Sequence, residues 1–163
     1  MPTVSRTFTV SPPPDRVVEY LKDFAHATQW DAGTQSCERI DRGPVTEGSY
    51  WHNVSKFFGV TTELTYTLEE LSDHRVVFVG ENQSSRTVDT ITVDPQDSGS
   101  VITYVTDLEM LGTAKLLSPV MKLVFEKLAV DTERQMSSVL NGLAAPTLSS
   151  EVPAGRSRPP RRR

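Results

Sequence analysis

Between Thr34 and Glu109 the chain breaks into a succession of strand-like segments, at about 34–41, 48–57, 60–71, 74–81, 85–94 and 100–109. The interruptions are Arg42-Gly43-Pro44, Phe58-Gly59, Ser72-Asp73, Glu81-Asn82-Gln83-Ser84 and the stretch from Asp94 to Gly99. All are short and turn-like. A parallel crossover needs about a dozen residues or more, so consecutive strands must pair as hairpins and the sheet is antiparallel. A chain built this way has one sheet with a face to bury, and it needs a separate element to cover that face.

The flanks supply the cover. Val4 to Val10 alternates as a first strand, and Ser11 with three prolines ends it. Pro14 suits a first helical position, where its missing N–H costs nothing. Val17, Tyr20, Leu21 and Phe24 recur at helical spacing and predict an amphipathic helix over 14–24. A helical turn is expected over Ala27 to Trp30, ending at Gly33. After the last strand, Ser118-Pro119 reads as an N-cap and first helical residue. The long helix it opens runs to about Leu140 or Asn141, with Gly142 at its end.

The order is thus strand, two helices, six strands, long helix. In that order the sequence resembles the START-like superfamily, also called SRPBCC, in its polyketide cyclase/dehydrase-type branch. The residues that carry the resemblance are Val10, Pro14, Val17 and Asp23 around the first helix and the Trp30-Asp31-x-Gly33 turn. Phe57-Phe58-Gly59 and Thr87-Val88-Asp89-Thr90 complete it, and the match covers about residues 3–143. The resemblance implies an α+β helix-grip fold: a curved seven-stranded antiparallel sheet (β-α-α-β6-α) wrapped around a long C-terminal helix, with a cavity between them. It also implies a small apolar ligand such as a lipid, sterol, polyketide or hormone, and in some members cyclisation or dehydration.

Charge divides the chain. Residues 1–145 carry 12 basic and 20 acidic residues, a net −8, whereas residues 146–163 hold five arginines against Glu151, a net +4. The domain is therefore expected over 1–145. It is acidic and should repel nucleic acid. The Pro-, Ser- and Arg-rich tail over 146–163 has little to bury and is expected to be disordered. It is expected to add no more than weak, salt-sensitive contacts with anionic surfaces. No apolar run approaches the roughly 18 residues of a membrane span, and no apolar leader opens the chain, so the cytoplasm is the expected compartment. Cys37 is the single cysteine, which excludes an internal disulfide and a cysteine-built zinc site. His26, His52 and His74 have no metal-ligand spacing, so no metal is expected. No phosphate-cradling glycine loop is present, and no cofactor is expected.

Strand alternation assigns the cavity face. Leu64, Tyr66 and Leu68 anchor their strand inward. A two-residue Phe58-Gly59 turn pairs Phe57 with Val60, Ser55 with Thr62, Asn53 with Leu64 and Trp51 with Tyr66. Trp51, Asn53 and Phe57 then face in, and Tyr50, His52 and Lys56 face out. Thr87 and Asp89 share a face with Ile91 and Val93, while Tyr104 and Thr106 share one with Ile102 and Leu108. Val76 and Phe78 are placed inward. On the long helix, Leu117, Met121, Val124 and Leu128 form one stripe that Asp131 and Gln135 continue.

The candidate ligand-binding set is accordingly Trp30, Trp51, Asn53, Tyr66, Phe78, Asp89, Tyr104, Met121, Val124, Leu128, Asp131 and Gln135. Asp89 is the candidate for chemistry. An inward carboxylate beside apolar neighbours costs several kcal/mol unless it is paired, hydrogen-bonded or protonated. It can anchor a ligand, act as a general acid/base, or be held structurally by hydroxyls such as Thr87. Trp30 either covers the cavity mouth or packs the small helices. Asp131 and Gln135 either meet a ligand headgroup or mark the helix leaving the core. Three functions remain open: binding of a small apolar ligand, an aromatase/cyclase or dehydratase with Tyr66 or Tyr104 positioning a carbonyl, and an interaction module attached by its basic tail.

Overall fold

The structure is a computed structural model that describes residues 3–57, 59–112 and 119–143. Its elements are β1 (Thr3–Val10), α1 (Pro14–Leu21), a 3₁₀ turn (Phe24–His26), α2 (Ala27–Trp30), β2 (Thr34–Arg39), β3 (Tyr50–Phe57), β4 (Val60–Ser72), β5 (Arg75–Glu81), β6 (Ser85–Gln96), β7 (Gly99–Met110) and α3 (Pro119–Gly142). Seven strands form one antiparallel sheet in the order β1-β7-β6-β5-β4-β3-β2. Every neighbouring pair from β2 to β7 is a hairpin. The exception is β1, which pairs with β7 across nearly the whole chain. The proposed tail over 146–163 lies outside the described residues.

The β3–β4 register follows from its turn as expected. Phe57 pairs with Val60, Asn53 with Leu64 and Trp51 with Tyr66. A one-residue slip would have turned every inward side chain outward. Trp51 and Asn53 are buried, whereas Tyr50, His52 and Lys56 are exposed. On β5, Val76 and Phe78 join the core cluster, and Val77 and Val79 are buried on the other face.

The first helix is shorter than its periodicity predicts, ending at Leu21. Asp23 is the cause. Its backbone is extended and its side chain accepts from the Ala25 N–H at 3.0 Å, which caps a new 3₁₀ turn. The break swings Phe24 into the core, where it stacks on Tyr66 at 4.2 Å and meets Phe78 at 4.5 Å. The same Asp23 oxygen accepts from the Trp51 indole at 3.1 Å.

α3 packs against β1 and α2. Arg6 of β1 pairs with Glu133 at 2.5 Å, the Ser11 N–H donates to Asn141 at 2.8 Å, and Arg16 donates to the Leu143 carbonyl at 2.8 Å. These bonds fix the second half of the helix. The first half lies over the sheet.

Candidate functional site: an acidic cavity under the long helix

A cavity of about 200 Å³ lies between the sheet and α3. Aromatic and aliphatic walls come from Phe24, Trp30, Leu64, Leu108, Val124 and Leu128. The polar groups on it are mostly hydroxyls, together with two carboxylates, Asp31 and Asp89.

Asp89 stands mid-strand on β6, opposite Thr106 of β7 and Phe78 of β5. It is 4 % exposed. The Thr106 hydroxyl donates to its Oδ1 at 2.6 Å, and the Tyr104 hydroxyl donates to the same atom at 3.2 Å. Thr106 reaches it as the directly opposed residue and Tyr104 as the diagonal one. Thr87, one of the hydroxyls that could have held Asp89, does not do so. Its hydroxyl donates to Tyr66 at 3.2 Å. Burial pushes the Asp89 carboxyl up to about 6; the bonds from Thr106 and Tyr104 oppose this, and the nearby charge of Asp31 adds to it. Burial also holds the Tyr66 and Tyr104 phenols well above their ordinary range, reinforced by the Asp89 charge.

Tyr66 is seated by a missing side chain. Gly80 of β5 pairs with Tyr66 on one side and Thr87 on the other. A Cβ at Gly80 would lie 2.6 Å from the Tyr66 ring and 2.8 Å from the Thr87 hydroxyl. Gly80→Ala should therefore displace the ring, at a cost of about 1–3 kcal/mol from overpacking. Its melting temperature should fall and its ligand affinity with it. A variant with the parent's melting temperature would mean that the ring yields freely.

Asp31 is the functional candidate that the sequence reading did not single out. It is the C-cap of α2. Its Oδ2 accepts from Thr34 at 2.6 Å and its Oδ1 from Thr132 of α3 at 3.2 Å, while Thr132 accepts from the Ala32 N–H at 3.2 Å. Behind it, Ser55 donates to Asn53 at 2.6 Å and Asn53 donates to Thr34 at 3.0 Å. Burial raises the Asp31 carboxyl, and the bonds from Thr34 and Thr132 hold it back. The helical turn before Asp31 and the Thr34 three residues on were the available signals. Thr132, a hundred residues away, was not.

The expected ligand-binding residues separate into groups. Trp30, Tyr66, Asp89, Tyr104, Val124 and Leu128 line the cavity. Trp51 and Phe78 are fully buried in the core behind it, and Asn53 serves the Asp31 network. The Met121 side chain lies outside the described residues. Asp131 and Gln135 are corrections: Asp131 bonds Lys127 at 2.7 Å on the outside of the helix, and Gln135 lies in a shallow surface groove with Arg134 and Ser138. The buried row is instead Val124, Ala129, Thr132, Met136 and Leu140. At about 100° per residue, Ala129, Thr132, Met136 and Leu140 lie roughly 100° round the axis from the stripe that carries Asp131 and Gln135, and only Val124 belongs to both. The helix changes surroundings along its length, from the cavity to packing on β1 and α2, and its buried side turns with them.

Trp30 is 1 % exposed, and its indole N–H is the one buried side-chain polar atom without a partner among the described residues. Its ring meets those of Phe24 and Tyr104 edge-on, at 5.9 and 6.1 Å. Trp30 is thus packed among core rings and also lines the cavity. Cys37 is buried, and burial pushes its thiol up to about 12, which disfavours the thiolate. Among the described residues no three His, Cys, Asp or Glu side chains gather as a metal site, and no helix is long and apolar enough to cross a membrane.

Residues 1–145 match the profile of the family described as polyketide cyclase/dehydrase and lipid transport. The chain belongs to this family. Among solved structures, a START superfamily protein from Mycobacterium smegmatis matches with a TM-score of 0.71 at 12 % identity, covering 86 % of this chain and 98 % of that one. The Zhui aromatase/cyclase from a Streptomyces species matches with a TM-score of 0.67 at 15 % identity, over 88 % and 93 % of the two chains. A major latex-like protein from ginseng (Panax ginseng) matches at 0.65 and 13 % identity, over 85 % and 97 %. These likenesses establish the helix-grip fold for this family member. The chain has no match among curated protein sequences.

Proposed function

We propose that residues 1–145 bind a small, largely apolar ligand in the cavity beneath α3, and that they do so in the cytoplasm. The supporting observation is the cavity's make-up: aromatic and aliphatic walls closed by a few convergent polar groups around Asp89. Its size, about 200 Å³, suits a compact body of one or two rings; an engineered apolar cavity of about 150 Å³ accepts benzene. The walls supply affinity, and Asp89 with its two hydroxyl partners fixes orientation. The unpaired Trp30 N–H is available to a ligand oxygen. Naphthalenemethanol, titrated calorimetrically into the full chain, should bind, and Leu128→Trp should abolish the binding by filling the space. Equal affinity in parent and variant would place the ligand elsewhere.

A second reading rests on the Asp89 carboxyl at about 6, between two tyrosine hydroxyls. A group poised there can exchange a proton near neutral pH. On this reading Asp89 takes a proton from the carbon beside a ligand carbonyl, and Tyr66 or Tyr104 donates a hydrogen bond to the carbonyl oxygen. Cyclase or dehydratase turnover should then fall by about 10²–10⁴-fold in Asp89→Asn while binding survives. A loss of affinity without a specific loss of turnover would favour the carrier.

A further inference from the structure

The charge of the cavity is one-sided. Asp31 and Asp89 both line it, and among its described lining residues there is no lysine, arginine or histidine. The bonds to Asp89 come from the neutral hydroxyls of Thr106 and Tyr104. Asp31 is held in the same way, by Thr34 and Thr132. Hydrogen bonds from neutral donors satisfy lone pairs but leave the negative charge without a counter-ion, which is costly in a site shielded from water. Two such carboxylates facing one small space also repel each other. Elsewhere the protein supplies counter-ions freely, as in Arg6–Glu133, Arg39–Asp41 and Lys127–Asp131. In the cavity it supplies none from the described residues.

From this we infer that the ligand carries a basic nitrogen: a compact ring-bearing amine, bound as its ammonium against Asp89. The inference rests on the cavity-binding reading and narrows it. An ammonium has three donors and a positive charge, which suits a carboxylate whose existing partners are only hydroxyls. Trp30, Tyr104 and Phe24 also line this space, and an aromatic wall suits a cation. A ligand ending in carboxylate or phosphate meets two like charges and no cation, so a fatty acid or a phospholipid headgroup is disfavoured.

The test uses three probes with one naphthalene body: naphthylmethylamine, naphthalenemethanol and naphthoic acid. Each is titrated into the full chain at about pH 7.5, where the amine is protonated and the acid ionised. The amine should bind about ten-fold or more tighter than the alcohol, and the acid about ten-fold or more weaker, as expected for making or denying a charged hydrogen bond in a buried site. In Asp89→Asn the preference of amine over alcohol should shrink to within about three-fold, with melting curves confirming the fold. A second readout needs no variant. At about pH 5 the Asp89 carboxyl gains protons, and the amine should lose affinity relative to the alcohol; Asp31, Tyr66 and Tyr104 are the other titratable groups around it. Alcohol and amine binding equally, or the acid binding tightest, overturns the charge inference and leaves the cavity reading standing. No binding by any of the three overturns both.

Discussion

Asp89→Asn should make the unliganded protein more stable at neutral pH, not less. The parent buries a carboxylate whose neutralisation is favoured by its surroundings, with its carboxyl raised to about 6 from the ordinary 3.8. For an acid raised on folding, the folded state holds the proton more tightly than the unfolded chain. The resulting stability is fully present below about pH 4 and is lost as pH rises through about 6. Raising the carboxyl from 3.8 to about 6 corresponds to about 3 kcal/mol as an upper figure. Asparagine keeps an oxygen to accept from Thr106 and Tyr104 and carries no charge. The variant's melting temperature should therefore exceed the parent's by several degrees at about pH 7.5 and match it more closely at about pH 4. The parent's decline between about pH 4 and 6 should flatten in the variant. Asp31, also raised by burial, contributes a residual slope of the same sign. A variant that is less stable than the parent at neutral pH would mean that the carboxylate is there to hold β6 to β7. A gain in stability with a loss in ligand selectivity is the signature of a group kept for function.

The second large effect concerns α3. Met136 and Leu140 are fully buried, whereas Leu128 is half-buried at the cavity wall and Gln135 is exposed. Met136→Ala should cost about 2–5 kcal/mol through lost burial and the void it leaves. Gln135→Ala, one residue away, should change stability by less than about 0.5 kcal/mol. Leu128→Ala should lie between them, because it widens a space that is already open, and its clearest effect should be on ligand affinity. Urea unfolding of the three variants measures all of this. Equal losses at positions 135 and 136 would show that the helix is rotated from the phase described here.

The contrast between Gln135 and Met136 also shows where sequence reading stops. Alternation is a property of a strand's own backbone, so the inward placement of Thr87, Asp89, Tyr104 and Thr106 was legible from single segments. A two-residue turn fixes a hairpin's register, so Phe58-Gly59 alone determined that Trp51 lies opposite Tyr66 and Asn53 opposite Leu64. The partners of Asp89 were harder. The sequence marks the β6–β7 break as the whole stretch from Asp94 to Gly99, whereas the strands run on to Gln96 and from Gly99, turning through Asp97 and Ser98. That turn places Thr106 opposite Asp89 and leaves Thr87 to Tyr66.

The sequence by itself determined the antiparallel hairpins, the order of elements, the family resemblance and the inward face of the strand that carries Asp89. Tertiary structure decided the pairing of β1 with β7, the role of Gly80 beneath the Tyr66 ring, and the face that α3 turns to the core. It also brought Asp31 to Thr132 across a hundred residues of chain. The reason is physical. Periodicity and turns are local and survive in any context, but a helix has several overlapping stripes, and the one it buries depends on the axis along which it crosses its neighbours. A carboxylate likewise shows its charge in the sequence, while the presence or absence of a counter-ion beside it exists only once the chain has closed around the cavity.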